Sequence, residues 1–229
     1  MANTNVEIEE LNSSNPIEKF QKPLSIAGGA LIAIALAYVG FTRFYLEPKQ
    51  EQALSDMFWA EQQFEVDSFN LALNGNDQKP GFEEIADNYG LTDAGSLAHY
   101  YAGICNLKIG GNAKDSIKAL DYFNAAVDHL KKFDTESRLL GPLAKGACGD
   151  ALCELGEYAE AATYYNNAAN ADENEYTSAM YLKKAGLVYE KLGQNDKALI
   201  AYKKIKDEYG STQIGTSIDK YISRAETSK

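Results

Sequence analysis

The amino-acid sequence predicts an all-α protein, with a single N-terminal transmembrane helix followed by a solenoid of α-hairpins. Three observations predict it. The run from Leu24 to Thr42 is uncharged and apolar, between Lys22 and Arg43. Beyond Pro48 no stretch alternates apolar and polar residues, so no sheet is expected. One phrase recurs: ELGEYAEAATYYNNA, from Glu154 to Ala168, returns as KLGQNDKALIAYKKI, from Lys191 to Ile205.

The first element follows from length. At 1.5 Å per residue, Leu24–Thr42 spans roughly 28 Å as a helix, close to the hydrocarbon thickness of a bilayer. Tyr38, Phe41, Phe44 and Tyr45 gather at one end like an interfacial belt. We assign 24–46 to this helix and 1–23 to a disordered tail rich in Asn, Ser and Glu. A cleaved signal peptide competes, since Ala35-Leu36-Ala37 resembles a cleavage site. Yet the preceding tail is acidic and the apolar run exceeds a usual signal core. Lys19 and Lys22 before the span balance Arg43 and Lys49 after it, so charge leaves the orientation open. Ser25, Gly29, Ala33 and Ala37 recur every fourth residue, a small stripe against which another membrane helix packs closely.

Residues 47–92 read as a connecting region. Leu54, Met57, Phe58, Phe64 and Phe69 predict a long amphipathic helix over 49–73. Gly75 and the NGNDQKPG stretch end it, and a short helix follows from Phe82 to Tyr89. Over 93–229 the apolar spacing predicts helices at 94–109, 114–132, 139–155, 158–170, 175–192, 195–209 and 212–226. Short turns make them antiparallel pairs, and the last helix caps the array.

The repeated phrase has a fixed internal spacing. Gly149 precedes Gly156 by seven residues, and Gly186 precedes Gly193 by seven. Ala161 and Tyr165 follow in the first unit, Ala198 and Tyr202 in the second. The first Gly lets paired helices approach, and the second ends a helix in a left-handed conformation. A third, stretched unit uses Gly103, Gly110, Ala119, Phe123 and Ala126, with a four-residue insertion in its turn. A further echo links DNYGLT (87–92) with DEYGST (207–212).

These units resemble the tetratricopeptide repeat, a helix–turn–helix of about 34 residues. The repeat's early Trp is replaced by Lys145 and Leu182, and its closing Pro is missing. The layout of tail, membrane helix and degenerate repeats resembles the membrane-anchored YfgM-type family. That resemblance implies an ancillary subunit of the Sec translocon in the bacterial inner membrane. It implies a cytoplasmic tail, repeats in the periplasm and a membrane-anchored parvulin-type chaperone as partner.

Composition excludes some functions. The net charge of -11 repels nucleic acid and anionic lipid. Cys105, Cys148 and Cys153 make no disulfide framework or zinc spacing and read as small buried residues. No phosphate loop or H-E-x-x-H motif occurs. No catalytic, cofactor or metal site is expected, and the protein reads as non-enzymatic. By repeat geometry the first helix of each pair lines the concave face. This nominates Tyr100, Ile104, Lys108, Asp150, Glu154, Lys183, Leu187 and Glu190 for partner binding, unless helix 49–73 fills that groove. The alternative is another cell-envelope scaffold, resembling the Tol-associated repeat proteins.

Overall fold

The computed structural model describes the backbone of residues 16–227 and the side chains of residues 25–227. The expected tail falls outside the described residues up to residue 15; from Pro16 the chain is helical. It forms two units, Met1–Pro48 and Lys49–Lys229. Among the described residues there is no β-strand, only one isolated bridge between Asn76 and Lys79.

The first unit holds α1 (Pro16–Phe41) and a π-helical turn (Thr42–Leu46). Pro16 suits a helix start because its missing N–H is one of the unpaired donors there. The side chains of Ile26, Leu31, Ile34 and Leu36 are exposed. Phe41 and Tyr45 stack at 5.1 Å, and Arg43 pairs with Glu47 one turn on. Among the described residues one helix is long and apolar enough to cross a membrane, with a mean hydropathy of 1.8 and no burial in its apolar window.

The second unit begins in α2 (Glu47–Glu65), followed by α3 (Phe69–Asn74) and α4 (Phe82–Tyr89). The long helix expected over 49–73 is therefore two. Asp67 adopts φ 58°. Its N–H donates to the Phe64 carbonyl, and the Ser68 N–H donates to the Gln63 carbonyl, at 3.0 and 2.9 Å. That pair of bonds closes a helix on a left-handed residue, a role short polar side chains tolerate. The break lets Phe64 and Phe69 meet edge to face at 5.5 Å.

Next come α5 (Asp93–Asn112), α6 (Ser116–Lys132), α7 (Leu140–Glu154), α8 (Tyr158–Ala171), α9 (Thr177–Lys191) and α10 (Asn195–Glu208). Consecutive helices pack pairwise, and α5 touches α7 as α7 touches α9. The expected final helix over 212–226 opens as a single 3-10 turn at Gly215–Ser217 and continues as α11 (Asp219–Thr227). Ahead of it the Thr212 hydroxyl donates to the Tyr209 carbonyl and accepts from the Gly215 N–H. Thr92 makes the same two bonds with Tyr89 and Gly95. The DNYGLT and DEYGST echo is thus one junction built twice, leading directly into α5 the first time and into the 3-10 turn before α11 the second.

The repeated glycines act as their spacing predicts. Gly156 and Gly193 have φ 79° and 69° and close α7 and α9. A Cβ on Gly149 would come 2.7 Å from the Tyr165 ring, and one on Gly186 would enter the Tyr202 ring. Ala161 and Ala198 are fully buried at the crossings. The stretched unit differs. Gly110 lies inside α5, where a Cβ would come 2.8 Å from Phe123. The extra residues lengthen α5 instead of the turn, and Asp115 caps α6 through the Ile117 and Lys118 N–H groups.

Two cores result. One joins α2 to α5 through Met57, Phe82, Ile85 and Cys105. The other runs from α6 to α11 through Leu152, Tyr165, Tyr181, Tyr202 and Ile205. The buried residues of α2 (Ala53, Met57 and Ala60) belong to the first, and none of α2 joins the second. All three cysteines are free, Cys105 and Cys148 buried and Cys153 half-buried.

Candidate interaction surface

The first helices of the hairpins, α5, α7 and α9, carry the nominated residues. Tyr100 and Ile104 are half-buried against the larger core, with Tyr100 5.3 Å from the Phe133 ring. Burial raises the Tyr100 hydroxyl above its ordinary range, and neighbouring Tyr101 adds to this. Lys108, Glu154 and Leu187 are exposed. Lys183 sits 4.9 Å over the Tyr221 ring of α11. The ammonium beside the Tyr221 hydroxyl lowers that group's pKa.

Asp150 and Glu190 do different work. The Lys184 ammonium donates to both Asp150 oxygens, at 2.6 and 2.8 Å, and the Tyr165 hydroxyl donates to Asp150 at 2.6 Å. Arg224 donates to Glu190 at 3.2 and 2.5 Å. In both pairs the cation lies 34 residues after the acid, on the first helix of the next unit. Each carboxylate ties one unit to the first helix of the next. That spacing was visible in the sequence, but pairing it required knowing which helices are neighbours. Sequence reasoning therefore missed Lys184, Tyr221 and Arg224.

The sequence also passed over a buried histidine pair. His99 of α5 and His129 of α6 are 7% and 8% exposed, with their Nδ1 atoms 2.9 Å apart. One neutral ring donates to the other. Burial first, then the charges of His129 and Lys132, push the His99 pKa down to about 4, while Asp87 opposes. Among the described residues, no group of three or more His, Cys, Asp or Glu side chains is arranged to hold a metal.

The stripe Ser25, Gly29, Ala33 and Ala37 lies exposed on α1. A Cβ on Gly29 would meet nothing within 4 Å.

Residues 182–212 match a family model described as a tetratricopeptide repeat. The match covers most of α9, all of α10 and the turn after it. Tetratricopeptide repeats imply protein partners in general. No curated protein matches the chain.

Proposed function

We propose that this chain is a non-enzymatic, membrane-anchored interaction protein. On this reading α1 spans the bacterial inner membrane once, and the repeats stand in the periplasm. The protein is an ancillary subunit of the Sec translocon and holds a parvulin-type chaperone or an emerging chain beside it. The supporting observation is the stitched row of hairpins, each tied to the next at Asp150–Lys184 and Glu190–Arg224. Such stitching keeps α7, α9 and α11 in a fixed array, which spares a bound partner the entropy of ordering them. Anchoring beside a membrane complex raises the partner's effective concentration without any new contact.

The proposed contact residues are the outward Lys108, Glu154 and Leu187, together with Lys183 beside Tyr221, flanked by Tyr100 and Ile104. Asp150 and Glu190 set their spacing. Ser25, Gly29, Ala33 and Ala37 are proposed to seat a translocon helix. Photo-crosslinkers at Lys108 and Leu187 in the full chain, in native membranes, test this. Crosslinks to translocon subunits or a chaperone are expected. Crosslinks to lipid alone, with no protein adduct, would overturn the reading.

A further inference from the structure

The loops that enter the first helices form an edge distinct from the concave face. Three large apolar side chains stand out there. Leu91 lies two residues before α5, and Leu139 and Tyr176 directly precede α7 and α9; they are 74%, 56% and 71% exposed. Exposing one such residue is ordinary, but exposing one at each successive helix start is a pattern. The three loops are physically joined. The Ser96 hydroxyl donates to the Asp134 carbonyl at 2.7 Å, and the Asp134 N–H donates back to Ser96 at 3.0 Å. Arg138 donates to Asp172 at 2.8 and 2.5 Å. Leu91, Leu139 and Tyr176 therefore belong to one continuous margin of the solenoid.

A cleft of about 680 Å³ opens in this margin. Leu97, Phe133 and Leu140 supply its apolar lining, and Asp93, Asp134 and Glu136 its carboxylates. The neighbouring loop adds Asp172, Glu173 and Glu175. These six acids outnumber the nearby cations Lys132, Arg138 and Lys204. Arg138 is bound to Asp172, and Lys204 to Glu173.

We propose that this edge docks a polypeptide segment in which basic side chains alternate with apolar ones. The apolar side chains would enter the cleft beside Leu97 and Phe133, and the basic ones would meet Asp93, Asp134 and Glu136. Charge complementarity selects this occupant. A second copy of the chain would bring the same acidic rim and be repelled, and an anionic lipid surface would be repelled for the same reason. The site adjoins the concave residues proposed above where Phe133 packs against Tyr100, and the test separates the two.

The test uses the full chain in a non-ionic detergent and three labelled synthetic peptides: Leu alternating with Arg, Leu with Glu, and Ser with Arg. Fluorescence anisotropy at low and moderate salt reads the binding. The Leu–Arg peptide binds tightest. D93N with E136Q weakens it about tenfold, and L139S weakens it without changing its salt dependence. A charge-matched control on α2, E51Q with E65Q, both exposed, leaves it within about twofold. L187S on the concave face leaves it unchanged, which separates failure of this site from failure of the groove reading. Circular dichroism confirms that each variant is folded, and E136Q alone, in an exposed loop, repeats the test if D93N unfolds α5. Equal binding of the Leu–Glu peptide, equal weakening by the α2 control, or wild-type binding by folded edge variants would each overturn the proposal. Self-association, or capture by anionic vesicles, that is lost in the edge variants would overturn it too.

Discussion

Gly149→Ala is the sharpest test of the packing. Alanine ordinarily stabilises a helix interior over glycine by about 1 kcal/mol. Here the new Cβ would lie 2.7, 2.8 and 3.1 Å from Cε1, Cδ1 and Cζ of Tyr165. Comfortable carbon contacts begin near ~3.5 Å, so the ring must retreat by roughly 0.8 Å. It has little room: Tyr165 is 3% exposed, its hydroxyl is held by Asp150 at 2.6 Å, and the Tyr181 ring stacks at 6.3 Å. Overpacking of this kind costs about 1–3 kcal/mol, and weakening the hydroxyl bond costs about 1 kcal/mol more. The net expectation is a loss of about 2 kcal/mol once the helix gain is subtracted. For a unit of this size that lowers Tm by roughly 4–8 °C. Gly111→Ala is the control, because a Cβ there meets nothing within 4 Å. It should stabilise α5 by about 0.5–1 kcal/mol. Thermal melts of the full chain in detergent, followed by far-UV circular dichroism, read both. Pairing Gly149→Ala with Tyr165→Leu should recover part of the loss. If Gly149→Ala were as benign as Gly111→Ala, the close-approach argument for the repeated glycines would fail.

Three further outcomes are expected. Gly193 has φ 69° with open space around a Cβ, so Gly193→Ala isolates backbone strain and should cost about 1–2 kcal/mol in a denaturant titration, with Gly193→Asn milder. Lys184→Met removes a half-exposed ion pair and leaves Asp150 to the Tyr165 hydroxyl; a loss on the order of 1 kcal/mol is expected, and a loss several times larger would mean that the pair is effectively buried. The histidine pair makes stability depend on pH. Both His99 and His129 have folded pKa values below 6.5, His99 at about 4, so the unfolded chain binds more protons in that range. Their contribution is complete above pH 6.5 and fades as pH falls towards about 4. Asp87 and Asp128 oppose this shift and Lys132 supports it. The difference in Tm between wild type and a His99→Leu/His129→Leu variant, followed across that window, should grow more favourable to the variant as pH falls. A difference independent of pH would refute the neutral-pair reading.

Much of the hairpin array was legible in the sequence because its signals are local. Gly156 and Gly193 stop their helices through their own backbone conformation, and Ala161, Tyr165, Ala198 and Tyr202 repeat at helical spacing. The expected boundaries of α6 to α10 fall within two residues of those observed for the same reason. Two places misled. Across 49–73 the apolar spacing continues through Asp67, so the break was invisible to periodicity. At Gly110 the sequence offered a turn glycine, but the ring of Phe123 needed the gap and α5 ran on.

By itself, the sequence determined an all-helical chain, one apolar segment long enough to span a bilayer, and a tandem helix–turn–helix unit. Each is set by contacts within a few residues or by composition. Only the tertiary structure decided the partners of Asp150 and Glu190, the meeting of His99 and His129, and the alignment of Leu91, Leu139 and Tyr176 along one margin. Neighbours in these sets lie about thirty to fifty positions apart, and nothing in a linear chain says which helix faces will touch until the cores have packed.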